Sequence, residues 1–301
     1  MEKQKIKESL VYKKDLVLKS ASENELEEQE YLFSRTVYNE DGKVISEIQY
    51  SPSGDTIQEY EYKYNSQGLL TEELLKEADG FIAEHKSFEV NDDGRIIKEF
   101  RHYMDESFDT IHYFYDDQGN IIKKEVIDPD GDLESIEEFS YSGELQTTHI
   151  VKDADGELVY EKKIDFNDEG KAVEIYEFDG SSGQTKKVVN EYYPSGNKKE
   201  VLTYNHAGQL IGKVTLKENT EGKIIQVTEE SPGKKNISNF TYDERGNMVY
   251  QDEFDKNGEM IAKVNRVYDD NNKLLSSAVY MHGGGRGLSR NYTLRQEYTY
   301  F

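Results

Sequence analysis

The chain is long, acidic and free of cysteine. Its 301 residues include 61 acidic and 37 basic side chains, which gives a formal net charge of −24, and 35% of the residues are hydrophobic. A chain of this length buries a sizeable core without disulfide bonds. The absence of cysteine excludes a disulfide framework, thiolate metal sites and cysteine nucleophiles. The acidic excess argues against nucleic acid as a ligand, because phosphates would be repelled.

The first 36 residues differ from the rest of the chain. They contain the run LVYKKDLVLKS and lack the turn glycines that recur later. We expect residues 1–36 to form an N-terminal cap, either a pair of strands or a short helix around Ser22 to Glu30. No apolar run is long enough to span a bilayer, and the first residues lack the apolar centre of a signal peptide. We therefore expect a cytoplasmic protein with no membrane insertion.

Residues 37–280 contain an internal repeat. Glycines in turn-like sequences recur about every 13 residues, and alternate ones lie 24 to 27 residues apart. The repeating unit therefore has about 26 residues in two similar halves. One half-unit, between Gly94 and Gly119, has no glycine, and Asn272 stands at the last turn. The glycines that we assign to structural turns include Gly42, Gly68, Gly94, Gly119, Gly170, Gly196 and Gly246.

Each half of the repeat predicts one strand and one hairpin turn. An aromatic residue precedes turns such as YNEDG, YNSQG and YDDQG, and a polar residue and two aliphatic residues follow. The side chain of Asp or Asn at the start of the turn can accept a hydrogen bond from the backbone N–H two residues later. Glycine supplies the positive φ of a type I turn with a bulge. Between turns run 7 to 9 residues with strand alternation, as in TIQEYEYKY from Thr56 to Tyr64.

About twenty short strands joined by tight turns predict an all-β antiparallel meander. A sheet of that width does not stay flat, because strand twist accumulates across it. We expect the β-repeat domain, residues 37–280, to form a curved or coiled continuous sheet, with a β-propeller as the alternative. The last segment, residues 281–301, predicts a glycine-rich loop at Gly283 to Gly287 and a C-terminal capping strand in RNYTLRQEYTYF.

The turn sequences resemble a known class of bacterial repeats. The segments YDDQGNII from Tyr115 and YDERGNMV from Tyr242 resemble the tyrosine-aspartate (YD) repeats of Rhs-type proteins. The segment YYPSGNKKE from Tyr192 is similar to the MORN-type variant of bacterial antitoxin-like proteins. The resemblance covers residues 37–280. It implies a scaffold without chemistry, either a spiralling sheet that encloses toxic polypeptides or an elongated sheet that binds proteins or lipids.

Two departures from the Rhs pattern limit what the resemblance implies. The chain has no self-cleaving core motif and no toxin domain, and it is much shorter than a full Rhs shell.

The residues that would carry chemistry show no diagnostic spacing. The acidic turns at Asp128–Asp132 and Asp153–Gly156 suit a hard cation in composition, but they fall short of an EF-hand loop. The six histidines form no HxH or HExxH pair, and the glycine-rich loop lacks the Lys-Ser/Thr of a phosphate-binding loop. We therefore predict no metal, no cofactor and no enzymatic activity.

The acidic charge is concentrated in the first half of the chain. Residues 1–150 hold 36 acidic and 16 basic side chains, whereas residues 151–301 hold 25 and 21. This pattern fits a solvated acidic surface, and it also fits a docking surface for a protein with a basic face. Interleaved aromatic residues would supply contact area for docking. The candidate docking residues are Tyr60, Tyr62, Tyr64, Tyr103, Tyr113, Tyr115, Glu59, Glu61, Asp92 and Asp93.

The function that these observations favour is a non-catalytic scaffold that binds another protein. Antitoxin or immunity protein, chaperone and assembly component remain open as subtypes, and so does the oligomeric state. The alternative is a cell-envelope or carbohydrate-binding repeat protein whose signal peptide is missing from this sequence. A hydrolase on a propeller, the third hypothesis, would need carboxylates that converge in a central channel.

Overall fold

The structure is a computed structural model that describes residues 5–20, 25–283 and 289–301. Side chains are described for these residues except 16–20, 25 and 26. Every regular element in the described part is a β-strand. The strands are β1 Ile6–Ser20, β2 Glu25–Tyr38, β3 Val44–Tyr50, β4 Thr56–Tyr64, β5 Leu70–Glu77, β6 Ile82–Val90, β7 Ile96–His102, β8 Phe108–Tyr115, β9 Ile121–Ile127, β10 Leu133–Ser142, β11 Leu145–Asp153, β12 Leu158–Phe166, β13 Ala172–Asp179, β14 Gln184–Tyr192, β15 Lys198–Tyr204, β16 Leu210–Glu218, β17 Ile224–Ser231, β18 Lys234–Tyr242, β19 Met248–Phe254, β20 Met260–Tyr268, β21 Leu274–Met281 and β22 Arg290–Tyr300.

The 22 strands belong to one antiparallel sheet with meander topology, as the repeat predicts. The first strand pairs with the last, since β1 lies between β2 on one side and β22 on the other. Neither terminal strand is therefore a free edge, as it would be in an open sheet, so an open form of the expected curved or coiled sheet is wrong on this point. The propeller alternative is also wrong, because a propeller divides its strands among separate blades. Pairing between the two ends of a chain leaves no local signal in its sequence.

The chain divides into two compact units. In the first unit, residues 1–87 and 239–301, the strands run from β19 through β22 to β1 and on to β6, so that both ends of the chain meet within it. In the second unit, residues 88–238, the strands β7 to β17 follow one another in sequence order. The part of residues 1–36 that the structure describes forms the strands β1 and β2 instead of a helix. Residues 284–288 of the predicted glycine-rich loop lie outside the described residues.

A recurrent five-residue turn joins most strands. In the first example, Gly42 donates its backbone N–H to the Asn39 carbonyl at 2.9 Å, and the Asn39 side-chain oxygen accepts the backbone N–H groups of Asp41 and Lys43. The ladder shifts by one residue immediately before the turn, between Val37 and Tyr38. The seven glycines assigned to structural turns have φ between 74° and 97°. Local backbone chemistry therefore fixes the spacing of the strands along the chain.

Tyrosine side chains join neighbouring strands beside these turns. The Tyr64 hydroxyl donates to the Val44 carbonyl at 2.8 Å, and the Lys43 ammonium lies 5.3 Å from the centre of the Tyr64 ring. The same cation–π contact and hydrogen bond recur for Arg95 with Tyr115 and for Lys171 with Tyr192, so these repeats are bonded to the preceding strand. Further hydroxyl-to-carbonyl bonds join Tyr115 to Ile96, Tyr141 to Ile121, Tyr192 to Ala172 and Tyr268 to Met248.

Most strand side chains on both faces of the sheet are half-buried, and few are fully buried. Among the described side chains, the buried hydrophobic ones are Leu74, Ile111 and Val126. The accessible surface is 19000 Å², whereas a folded chain of this mass is expected to expose about 13,000 Å². Lysine–glutamate pairs bridge neighbouring strands on these faces, as between Lys213 and Glu200. None of the described residues lies in a helix long and apolar enough to cross a membrane.

Replacing Gly119 with valine tests the turn geometry. Gly119 has φ +93°, where a β-branched residue is strained, and an added Cβ would also displace the Arg95 guanidinium. We expect Gly119→Val to lower the free energy of unfolding by about 1–3 kcal/mol. Thermal or urea unfolding measures this loss. The control is Gly212→Val within β16, where the added Cβ meets Thr203 at an ordinary 3.5 Å; equal losses at the two sites would contradict the account.

The aspartates that cap turns predict how stability depends on pH. Hydrogen bonds from the Asn120 and Asn247 side chains lower the pKa values of Asp116 and Asp243, and the backbone N–H of Glu259 lowers that of Asp255. Because folding lowers these pKa values, their stabilisation is complete above about pH 4 and is lost as the pH falls through the lower folded-state values.

Replacement of all three aspartates by asparagine, the residue at the same position of other turns, removes this dependence. We expect the triple variant Asp116→Asn, Asp243→Asn and Asp255→Asn to unfold at a lower pH than the wild type when acid unfolding is followed by circular dichroism. Urea unfolding at neutral pH is the control, where the two proteins should differ little. An unchanged acid midpoint would show that these turns do not contribute to acid sensitivity.

Candidate functional site

The candidate residues on β4 lie on two different faces of the sheet. Tyr60, Tyr62 and Tyr64 share one face, whereas Glu59 and Glu61 alternate to the other. The rings of Tyr60 and Tyr62 stack with centroids 6.4 Å apart. Burial, with a smaller effect of the nearby Glu47 carboxylate, raises the pKa of Tyr62 to about 12. Because Glu61 is paired with Lys76 on the opposite face, these five residues do not form one docking patch.

Four further candidates lie in the second unit. Asp92 and Asp93 are exposed in the turn between β6 and β7. Tyr113 donates to the Glu99 carboxylate at 2.7 Å, and burial followed by this bond raises its pKa. The Tyr115 hydroxyl donates to the Ile96 carbonyl at 2.6 Å. Both tyrosine hydroxyls are therefore engaged within the sheet.

Tyr103 begins the turn between β7 and β8, which has no glycine; the turn at Asn272 shares this absence but places an asparagine at positive φ. Glu106 occupies the glycine position with φ 68°, and its backbone N–H donates to the Tyr103 carbonyl at 3.2 Å. A non-glycine residue in the left-handed region is strained, and strain of this kind concentrates at functional sites. The turn therefore keeps the geometry of the repeat with a residue that is poorly suited to it.

Large apolar groups are exposed around this turn. The exposed fractions are 81% for Met104, 50% for Tyr103 and 42% for Phe108. Phe108 packs edge-to-face against Phe100 with ring centroids 5.4 Å apart, and the His102 ring lies 5.7 Å from Phe108. An exposed group of Met and aromatic side chains is typical of an interaction surface.

Polar contacts on the other face hold the turn in place. The Tyr103 hydroxyl donates to the Asp109 carboxylate, and this bond, followed by burial, raises the pKa of Tyr103. Asp109 and Glu99 are 7% and 8% exposed, and Glu99 also accepts a 2.8 Å hydrogen bond from Arg101. The two carboxylates therefore act as acceptors that fix tyrosine and arginine side chains. A raised pKa keeps Tyr103 protonated, which suits it to donate a hydrogen bond but not to act as a nucleophile.

Three successive turns on the same side of the second unit carry unneutralised acidic charge. They are Tyr103–Ser107, Asp128–Asp132 and Asp153–Glu157, and alternate turns of a meander lie about 10 Å apart along one edge. They contain no lysine or arginine, and their acidic side chains form no ion pair within the described part of the chain. We call these side chains the acidic edge: Asp105, Glu106, Asp128, Asp130, Asp132, Asp153, Asp155 and Glu157.

The carboxylates of the acidic edge divide into two classes. Asp105, Asp128 and Asp153 accept backbone N–H groups of their own turns, so these three stabilise the turns. Asp130, Asp132 and Asp155 are exposed and hold no such bond. In the described part of the chain, no three His, Asp or Glu side chains are placed to hold a metal ion. The exposed class is therefore available for long-range attraction of a positively charged surface.

Comparisons with known proteins give only distant structural likenesses. No protein-family model and no curated protein matches the chain. A porin-like protein from Bacteroides uniformis ATCC 8492 is 10% identical with a TM-score of 0.37, and the match covers 98% of each chain.

Toxin complexes give lower scores. The TcdB2-TccC3-TEV structure is 10% identical with a TM-score of 0.26, over 85% of this chain and 20% of that one. The Tc holotoxin pore of Photorhabdus luminescens is 9% identical with a TM-score of 0.18, over 89% of this chain and 23% of that one. This chain thus spans about a fifth of the length of these toxin chains.

Sequence reasoning missed Met104, Glu106 and Phe108. The signal that marks them is the half-repeat without a glycine, where YMDES stands in place of a turn such as YNEDG. A repeat keeps the residues that its fold requires, so a turn that lacks the required glycine points to a second constraint.

Restoring glycine at the strained turn should stabilise the protein. We expect Glu106→Gly to raise the free energy of unfolding by about 1 kcal/mol, because it removes the cost of a side chain at positive φ. The matched control is Asn272→Gly, at φ 63°, where asparagine is already well tolerated and the gain should be smaller. Thermal unfolding of both variants measures the difference. A loss of stability in Glu106→Gly would mean that the turn is not strained.

Proposed function

We propose that the protein is a non-catalytic β-repeat scaffold that binds another protein in the cytoplasm through the acidic edge and the apolar group beside it. The observation that carries the proposal is the β7–β8 turn. It departs from the repeat by placing Glu106 at positive φ, and it exposes Tyr103 and Met104. In this arrangement Tyr103 and Met104 serve as anchors, and the carboxylates of the acidic edge supply charge beside them.

Charge defines the partner. Eight carboxylates without a basic neighbour in their turns attract a basic protein face and repel nucleic acid. Protein interfaces commonly combine a few buried aromatic or methionine anchors with a charged rim. The partner is therefore a protein whose contact face carries lysine or arginine around an apolar depression.

The likeness of the turns to YD and MORN-type repeats supports a scaffold role. In our proposal, this role is that of an antitoxin or immunity protein, a chaperone or an assembly component. Glu99 and Asp109 support it further, because their contacts with Tyr113, Arg101 and Tyr103 hold the docking turn in position.

Two variants with equal loss of charge test the docking edge. The first carries Asp130→Asn, Asp132→Asn and Asp155→Asn, which spare the capping aspartates. The control carries Asp92→Asn, Asp93→Asn and Asp117→Asn in turns at the other edge of the same unit. Affinity capture from the native cell with the wild type and both variants, read by quantitative mass spectrometry, identifies partners that the first variant loses and the control keeps.

Association rates of that partner measure the electrostatic contribution. As salt rises from about 10 to about 150 mM, the screening length falls from about 30 to about 8 Å. We expect the wild-type association rate to fall by at least about tenfold over this range, and the first variant to associate slowly throughout. Partners retained equally by all three proteins, or rates insensitive to salt, would contradict the proposal.

A further inference from the structure

A cleft in the second unit has the composition of a small-ligand site. Its volume is about 450 Å³, within the range of about 300–1,000 Å³ typical of ligand pockets. Strand β14 forms its floor, and residues of β13, β15 and the β15–β16 turn complete it. The cleft shares no residue with the acidic edge. Its lining residues are Tyr176, Thr185, Lys187, Val189, Tyr204, Asn205, His206 and Gly208.

Strand register places two tyrosines on either side of one lysine. Lys187 lies directly opposite Tyr176 on β13 and directly opposite Tyr204 on β15, so the three side chains form a row on one face. Directly opposite residues in a sheet have Cβ atoms about 4.5–5.5 Å apart. Tyr176 and Tyr204 are therefore two strand spacings apart, about 10 Å, with Lys187 and Val189 of β14 between them.

The hydroxyls of this site have no hydrogen-bond partner among the described residues. Tyr64, Tyr115 and Tyr192 use their hydroxyls to bond backbone carbonyls, as described above. Within the described residues, Tyr176, Tyr204 and Thr185 form no hydrogen bond through their hydroxyls, and the Lys163 ammonium lies 5.8 Å from the centre of the Tyr176 ring. The cleft thus combines aromatic surface with unused donors and acceptors at its rim.

The charge at the cleft is balanced. Lys187 lies 2.7 Å from the Glu174 carboxylate, and the eight lining residues include no carboxylate of their own. Because Lys187 is paired with Glu174, it does not offer a free positive charge to a charged ligand. An anion would also be repelled by the chain, whose net charge is −24. An uncharged ligand with one apolar side and several hydroxyls matches both the rings and the polar rim.

We propose that this cleft binds a neutral sugar ring, with the apolar face of the pyranose against Tyr204 and Tyr176. The Thr185 hydroxyl and the Lys187–Glu174 pair then bond the sugar hydroxyls at its rim. The site is independent of the proposed docking edge, so either activity stands without the other.

Saturation-transfer NMR with defined sugars tests the site. The probes are the methyl glycosides of glucose, galactose and N-acetylglucosamine, with glucuronate as the charged comparison and 4-hydroxybenzyl alcohol as an aromatic one. We expect transfer to at least one neutral glycoside at millimolar concentration, strongest at the protons of its apolar face. Tyr204→Leu should weaken its binding by about tenfold, because one stacking surface is lost.

Control variants separate loss of the site from loss of the fold. Tyr160→Leu, on the opposite face of β12, should bind the same glycoside within about twofold of the wild type. Tyr204→Phe, which keeps the ring, should bind more tightly than Tyr204→Leu. Circular dichroism establishes that each variant keeps its strands. Three results would each overturn the proposal. They are the lack of transfer to any neutral glycoside, equal binding by Tyr204→Leu and the wild type, and a preference for glucuronate or the aromatic alcohol.

Discussion

The scarcity of buried apolar side chains in the described part of the chain is the constraint on which the rest of this structure depends. Three hydrophobic side chains are buried among those described, so burial of apolar area supplies less of the stability than in a two-layer domain. The backbone ladder and contacts between side chains on adjacent strands must supply more of it. This explains why tyrosine hydroxyls bond carbonyls of the preceding strand and why lysines lie over those tyrosine rings.

The same constraint accounts for the composition. Because both faces meet water, charged residues are tolerated on either face, and lysine–glutamate pairs replace the apolar contacts of an ordinary core. Such exposed pairs contribute little individually, about 0–1 kcal/mol each. The turns must then hold the register, and glycine at positive φ with an Asn or Asp cap does so in nearly every half-repeat. A turn that departs from this rule, as at Glu106, is therefore conspicuous.

Local elements were predictable from the sequence and long-range ones were not. The turn from Asp116 to Asn120 follows from its own residues, and repetition of that pattern gives an antiparallel meander of nearly the right number of strands. The separation of Glu59 from Tyr60 onto opposite faces also follows from strand alternation. The pairing of β1 with β22 did not follow from the sequence, because no residue near either terminus encodes the register of the other strand. The cleft escaped prediction for the same reason, since Tyr176, Lys187 and Tyr204 meet only through the pairing of three strands.

The heat capacity change of unfolding tests the central claim most directly, because it reports the apolar surface that folding removes from water. Globular proteins give about 12–15 cal/mol/K per residue. Differential scanning calorimetry at several pH values above the acid-sensitive range measures it from the slope of unfolding enthalpy against melting temperature. A sheet with so few buried apolar side chains predicts a value clearly below this range. A value within or above it would contradict the account, since it would require an apolar core that the faces of the sheet do not provide.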